Sequence, residues 1–146
     1  MWNAMSDSPF IMIGLNSSAG HQEPMTAQLD EDAESAFWIY TTAANRIASG
    51  GPAKAQYVSK GHDLFACIYG HLVVETDPKI IDRYWSKHVA SWYPDGRNDA
   101  NLRMMRFELQ DAEIWTVDPG ITGKLKLLTG ARVDPDKMGD HAKLKL

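Results

Sequence analysis

The sequence predicts a mainly β protein, a small antiparallel barrel with one amphipathic helix, folded as a single domain. Apolar, β-branched runs of strand length alternate with clusters of turn residues along most of the chain. Apolar residues recur at helical spacing in one stretch only, residues 77–93. The 146 residues match the size of one domain, and 44% hydrophobic with 23% charged residues is typical of a soluble globular protein.

Most predicted strands follow one another as hairpins. Turn residues at 16–20 connect the first two strands, and the glycine-containing segment 60–63 connects the fourth and fifth. Both alternating faces of the fifth strand carry uncharged side chains, which predicts a strand covered on both sides. Gly70 in this strand predicts a bulge or a close approach by another backbone. The predicted strands are residues 10–15, 23–29, 36–42, 53–59, 64–75, 104–109 and 113–117.

The predicted helix has a clear start and a clear end. Asp77 suits the N-cap, and Pro78 suits the first helical position, where a missing N–H costs nothing. Residues 94–96, Pro-Asp-Gly, end the helix. Its apolar stripe is formed by Ile81, Tyr84, Trp85, His88, Val89 and Trp92.

Charge and hydropathy exclude several classes of protein. Residues 1–123 hold 9 Lys/Arg against 16 Asp/Glu, whereas residues 124–146 hold 6 against 3, for a net charge of −4. The acidic body argues against a general nucleic-acid binder. We interpret the basic tail as a solvated terminal segment, with a weak anion site as the alternative. No apolar run approaches the ~20 residues that span a bilayer, and no targeting signal is readable, so a cytoplasmic location is expected.

The residue chemistry alone predicts neither a catalytic constellation nor a metal site. The five histidines show no ligand spacing, and the chain has no nucleophile elbow or phosphate-binding glycine loop. Its single cysteine, Cys67, excludes an internal disulfide framework and is predicted to be a buried, inert thiol.

Aromatic residues are dense for a barrel of this size. Their usual role is packing, but a small barrel has room for only a few tryptophans. Some of them are therefore expected to face a partner subunit or a planar ligand. The residues concerned are Trp38, Tyr40, Tyr84, Trp85, Trp92, Tyr93 and Trp115.

Several of these aromatic residues lie in one ordered set of motifs. Residues 84–96 read Y-W-S-K-H-V-A-S-W-Y-P-D-G, and residues 98–102 and 112–115 follow with N-D-A-N-L and A-E-I-W. Earlier, residues 23–25 read E-P-M and residues 38–41 read W-I-Y-T. Over residues 2–117 this order resembles the pyridoxamine 5′-phosphate oxidase-like flavin-binding split barrels, in their general stress protein 26 branch.

The resemblance implies a mainly β fold of the FMN-binding split-barrel type that forms a homodimer. One FMN would lie in each of two clefts at the dimer interface, and the protein would be a flavin-dependent oxidoreductase of unknown substrate. Residues 1–118 would form the split-barrel domain, and residues 119–146 a partly flexible C-terminal extension.

The resemblance also assigns cofactor-binding roles to individual residues. One group would offer backbone atoms to the isoalloxazine edge, a second would lie beside the ribityl chain and phosphate, and a third would bind the phosphate. A fourth group would approach the cleft from the partner subunit. In that order the groups are Met25 and Thr26, Tyr40 and Thr41, Asn45 and Arg46, and Trp115 with Trp92.

Three positions depart from the family pattern, because each lacks a basic residue that the family uses. They are Glu23, Gln28 and Ile47, which leave Arg46 as the aligned cation and Lys54 nearby in reserve. Each loss would remove a charge-assisted bond to phosphate, and a carboxylate there would repel it. The alternative hypothesis is therefore a non-enzymatic stress-response or ligand-binding dimer that has lost its affinity for flavin.

Overall fold

The computed structural model describes residues 1–33, 35–117 and 141–145, which form one antiparallel sheet with three short helices. The strands are β1 (Phe10–Leu15), β2 (Glu23–Thr26), β3 (Ala36–Thr42), β4 (Gly51–Val58), β5 (Leu64–Val74), β6 (Leu102–Thr116) and β7 (His141–Lys145). The helices are α1 (Trp2–Asp7), α2 (Pro78–Arg83) and α3 (Lys87–Ala90), and Gly96–Asn98 forms a 3₁₀ turn. The predicted mainly β class is confirmed.

The strands lie in the order β2-β1-β4-β5-β6-β3, and every neighbouring pair is antiparallel. The sheet curls until its two edges approach each other. They are joined by a bridge in which the backbones of Gln28 and Trp38 exchange hydrogen bonds of 2.7 and 2.9 Å. The described residues do not close the sheet by a full pairing of β2 with β3, so β2 keeps an open edge.

The inner face of the curled sheet forms the hydrophobic core. Helix α1, which the sequence analysis did not predict, lies against this core through Met5. The Tyr57 hydroxyl donates to the Ala4 carbonyl at 2.6 Å and ties α1 to β4. The side chains that are fully buried there include Ile13, Phe37, Ile39, Ile47, Ile68, Met105 and Phe107.

The predicted bulge at Gly70 is confirmed, because the β5–β6 register shifts between Tyr69 and Gly70. A Cβ on Gly70 would collide with the Glu108 carbonyl oxygen and come within 2.8 Å of Phe107 Cζ. The two strands predicted at 104–109 and 113–117 are wrong, since they form one fifteen-residue strand, β6. Gln110 and Asp111, which favour turns, lie beside the register shift, and β6 continues through them as one strand.

The single amphipathic helix predicted over residues 77–93 is also wrong, because the chain forms α2 and α3 with a break between them. Asp77 caps α2 by accepting from the Lys79 N–H at 2.9 Å, as predicted. Ser86 then caps α3 by accepting from the Val89 N–H at 3.2 Å. Ser86 itself has extended backbone angles, so the first helix cannot continue through it.

The outer face of β5 is not covered within one chain, contrary to the prediction. Phe65 and Tyr69 are 37% and 36% exposed, and Trp115 on the neighbouring β6 is 39% exposed. Phe65 and Trp115 are direct cross-strand partners. An apolar patch therefore lies on the outside of the sheet.

The predicted boundary between residues 118 and 119 stays a prediction. Strand β7 pairs with β6 at residues 111–115, and all five of its residues are exposed. The remainder of the predicted extension lies outside the described residues. No helix in the described ranges has the length and hydropathy to cross a membrane.

Asp30 tethers the end of α2 to the loop that follows β2. Its carboxylate accepts from the Tyr84 hydroxyl at 2.7 Å and pairs with the Arg83 guanidinium. The Tyr84 hydrogen bond, with smaller contributions from the Asp32 N–H and Arg83, lowers the pKa of Asp30 below its usual 3.8. The Tyr84 ring stacks on Trp38 with centroids 5.5 Å apart, so the tether also orders the outer side of β3.

We expect Gly70→Ala to destabilise the fold, because the added Cβ meets backbone that cannot move without disturbing the ladder. Overpacking of this kind costs about 1–3 kcal/mol or more, which is roughly 3–10 °C in Tm. Gly61→Ala is the control, since its Cβ would meet only the Asp63 side chain. Equal melting temperatures for the two variants would contradict the close approach.

We expect Asp30→Asn to be less stable than wild type at pH 7 but less sensitive to acid. A carboxyl whose folded pKa is depressed stabilises the protein above its unfolded pKa, and this contribution disappears as pH falls through the folded value. Urea unfolding between about pH 6 and pH 3 would measure both effects. Asp32→Asn, an exposed acid in the same loop, is the control, and identical acid slopes for Asp30→Asn and wild type would refute the tether.

Candidate functional site

A cleft of about 490 Å³ opens where the two edges of the sheet diverge. Beyond the Gln28–Trp38 bridge, β2 supplies one wall and the end of β3 a second. The segment from α3 to residue 93 forms the third wall. The cleft is mainly apolar and is lined by Phe10, Pro24, Met25, Thr26, Gln28, Tyr40, Thr41, Thr42, Asn45, His88, Val89, Trp92 and Tyr93.

The β2 wall presents the edge of a strand. Strand β2 pairs with β1 on one side only, and Met25 and Thr26 lie opposite Ile11 and Phe10 in that pair. An edge strand leaves every second N–H and C=O without a strand partner. This wall therefore offers backbone donors and acceptors to a ligand that lies in the cleft.

The opposite wall is aromatic and is held in place by a buried hydrogen bond. The Tyr93 hydroxyl donates to the Thr41 carbonyl at 2.6 Å, and burial raises the pKa of Tyr93 to about 12. The phenol therefore stays protonated and acts as a structural donor. Trp92 beside it is 73% exposed and stands at the rim of the cleft.

Tyr40 has a similar structural role on the β3 side. Its hydroxyl donates to the Ile81 carbonyl of α2, and burial raises the pKa of Tyr40 to about 12. Its ring meets Trp85 edge-on with centroids 5.9 Å apart, and Trp85 in turn lies 5.9 Å from Tyr93. The aromatic cluster thus fixes α2 and the α3 segment to β3 and sets the width of the cleft.

The polar end of the cleft is formed by Asn45, whose partners lie just outside. Its Nδ2 donates to Glu23 at 2.7 Å, and Glu23 pairs with Arg46 Nε at 2.9 Å. Arg46 does not line the cleft. It lines a separate polar pocket of about 230 Å³ together with Lys54 and His21.

The structure brings together six of the eight predicted cofactor-binding residues. Met25, Thr26, Tyr40, Thr41, Asn45 and Trp92 line the cleft. Trp92 does so within its own chain, whereas the sequence analysis expected it from a partner. Arg46 borders the neighbouring pocket, and Trp115 lies on the outer face of β6, stacked on His141 with centroids 5.1 Å apart.

The three positions that lack the family's basic residue have different structural explanations. Ile47 is fully buried in the core, so packing accounts for an apolar residue there. Gln28 lines the cleft, while its backbone makes the bridge to Trp38. Glu23 bonds the two residues expected to bind phosphate, which the sequence analysis did not anticipate.

The sequence analysis missed other residues that line the cleft. His88 was placed on the apolar stripe of a long helix, but the break at Ser86 leaves it exposed at the cleft. Tyr93 was counted only among the aromatics, although its W-Y-P-D-G motif could have indicated the contact with β3. Phe10 lines the cleft because β1 pairs with β2, a contact that no local pattern shows.

Other reactive groups form no second site in the described ranges. No cluster of three His, Cys, Asp or Glu residues could hold a metal ion there. Cys67 is half-buried and has no disulfide partner, and burial raises the pKa of its thiol. These findings leave the cleft and its polar end as the candidate site.

Three solved structures show the same fold over most of the chain. A putative general stress family protein from Xanthomonas campestris pv. campestris is 36% identical, with a TM-score of 0.73 over 82% of this chain and 86% of that one. A general stress FMN/FAD binding protein from Xanthomonas citri is 38% identical, with a TM-score of 0.72 over 79% and 84%. A putative general stress protein 26 from Jannaschia sp. CCS1 is 25% identical, with a TM-score of 0.79 over 99% and 95%.

A family model described as pyridoxamine 5′-phosphate oxidase like matches residues 1–136. Among curated proteins, none matches this chain significantly. The resemblance inferred from the motifs at 84–96 and 112–115 is confirmed by the family model and by the general stress proteins. The chain therefore belongs to the pyridoxamine 5′-phosphate oxidase-like family.

Proposed function

We propose that this chain is a flavin-binding protein with a redox role, and that the flavin ring lies in the cleft between β2, β3 and α3. The observation that carries the proposal is the pairing of an open strand edge with an aromatic wall across one cleft. The Xanthomonas citri protein, described as binding FMN or FAD, supports the same class of ligand.

The ring end of the cleft fits a planar heterocycle. Its volume of about 490 Å³ falls in the range of ~300–1,000 Å³ usual for small-molecule sites. A flavin ring has apolar faces and a polar edge. Its faces would pack against Trp92 and the apolar lining, while its edge would meet the backbone of Thr26, since the Met25 backbone is directed toward Ile11 in β1.

The phosphate end of the cleft fits FMN less well. In the described ranges no lysine or arginine lines the cleft, and Arg46 is paired with Glu23 at its border. A phosphate next to Asn45 would therefore lie close to a carboxylate. The proposed contacts of the ring with Thr26 and Trp92 do not depend on this end, so the misfit concerns the phosphate and not the flavin ring.

A bound flavin would supply the electron transfer, and the chain would supply binding and orientation. The phenols of Tyr40 and Tyr93 fix the walls and, with pKa values raised to about 12, do not exchange protons near neutral pH. The polar side chains of Thr26, Thr42 and His88 line the cleft and would contact the ligand or its substrate. The substrate is not identified by this lining.

We also propose that two chains form a split-barrel homodimer through the apolar outer face of β5 and β6. Phe65, Tyr69 and Trp115 expose more than a third of their surface on this face. Contiguous apolar patches of this kind mark interaction surfaces, and stable interfaces bury about 800 Å² per partner. The family resemblance supports a position for Trp115 near the partner's cleft, and the single Cys67 supports a reducing, cytoplasmic location.

We expect the purified protein to bind flavin, with quenching of flavin fluorescence or visible absorption of oxidised flavin as the measurement. Thr26→Trp should weaken flavin binding by about tenfold or more, because the larger ring fills the cleft from the β2 wall. Thr76→Trp, at an exposed position outside the cleft, is the control. A colourless protein that ignores added flavins would favour the alternative of a dimer without flavin affinity.

We expect Phe65→Glu to convert a dimer to a monomer, because it places a charge in the proposed interface. Sedimentation or light scattering would measure the mass, and Thr76→Glu is the control. If the partner completes the cleft, the monomer should also lose most of its flavin affinity. A monomeric variant that binds flavin as tightly as wild type would show that one chain completes the site.

A further inference from the structure

Glu23 separates the apolar cleft from the neighbouring polar pocket. Its carboxylate accepts from Asn45 Nδ2 at 2.7 Å and pairs with Arg46 Nε at 2.9 Å. Asn45 lines the cleft and Arg46 lines the pocket, so the three residues form a boundary between the two cavities. A carboxylate that belongs to the chain itself thus lies next to the polar end of the cleft.

The other contacts of Asn45 and Arg46 fix this arrangement. Asn45 Oδ1 accepts from the Ile47 N–H at 3.0 Å, which directs the amide NH₂ group toward Glu23. Arg46 Nη1 donates to the His21 carbonyl at 2.9 Å, on the side of the polar pocket. Both anion-binding side chains are therefore oriented by partners within the protein, before any ligand arrives.

At neither cavity does another described cation offset the pairing of Arg46 with Glu23. Lys54 borders the polar pocket, but its ammonium lies 4.6 Å above the ring of Tyr69. The cleft has no lysine or arginine in its described lining. A dianionic phosphate at the Asn45 end would meet the Glu23 charge, or would have to displace it from Arg46.

We propose that Glu23 takes the place of a ligand phosphate, so that the site selects a flavin with an uncharged tail. On this basis riboflavin binds at least as tightly as FMN, because the phosphate meets the Glu23 carboxylate, to which Asn45 Nδ2 and Arg46 Nε are already bonded. The inference rests on the proposed flavin-binding function and assigns the specificity of that site to Glu23.

The test measures dissociation constants of riboflavin and FMN for wild type and Glu23→Gln, by quenching of flavin fluorescence. The substitution keeps the size of the side chain and removes its charge. FMN affinity should rise on the order of tenfold to a hundredfold, since a charge-assisted contact becomes available. Riboflavin affinity should change by less than about twofold, because the ring contacts are untouched.

Three further variants make the test specific. Glu31→Gln removes an exposed acid from a nearby loop and should leave both affinities unchanged. Glu23→Ala should raise FMN affinity as Glu23→Gln does, which covers the case in which the glutamine retains a bond to Arg46. In the Glu23→Gln background, Arg46→Gln should abolish the gain, because Arg46 is the cation that is released.

Two outcomes would overturn the inference. One is wild-type protein that binds FMN at least tenfold more tightly than riboflavin; the other is a ratio of the two constants that neither Glu23 variant alters. Absence of binding of either flavin to wild type and to both variants would instead reject the flavin function itself. Circular dichroism and Tm of each variant verify that it is folded.

Discussion

The antiparallel ladder between β5 and β6 is the contact on which the rest of the structure depends. It is the longest pairing in the sheet, and it carries β4, β1 and β2 on one side and β3 and β7 on the other. The register shift at Gly70 lets the two backbones approach closely and increases the local twist, as bulges do. Because the sheet curls about this ladder, its edges meet at Gln28 and Trp38 and then part to form the cleft.

The two ends of the cleft differ in how much they depend on side chains. At the ring end, the open edge of β2 supplies backbone groups that substitution does not remove, and the aromatic cluster around Trp85 fixes the opposite wall. At the polar end, the available groups are the side chains of Asn45 and Arg46, and both are bonded to the Glu23 carboxylate. A chain can therefore keep the family's fold and ring site while changing what it accepts at the tail of the ligand.

The sequence predicted most strands well because alternation and turn residues are local signals. Strands 10–15 and 36–42 have the predicted bounds, and Gly70 was identified as the bulge. The break between α2 and α3 was not predictable from periodicity, since it depends on the Ser86 cap and on the contact between Tyr84 and Asp30, 54 positions apart. Likewise, the prediction divided β6 at Gln110 because Gln110 and Asp111 favour a turn. Their turn propensity does not show that pairing with β5 keeps the strand continuous.

The cofactor-binding residues were assigned through family motifs rather than residue chemistry, and their binding roles stay predictions. Met25 and Thr41 lie in the cleft because their strands, β2 and β3, form two of its walls. The orientation of Arg46 depends on Glu23, which lies 23 positions earlier in the chain on β2, so no motif could show it. The exposed face around Phe65 and Trp115 similarly depends on the pairing of β5 with β6, which no local pattern describes.

The most direct test of the account is a crystal structure of the purified protein grown with riboflavin. The account predicts the flavin ring between the β2 edge and Trp92, with its polar edge on the backbone of Thr26 and the Glu23–Arg46 pair intact. A flavin bound elsewhere, or one whose tail has displaced Glu23 from Arg46, would contradict it.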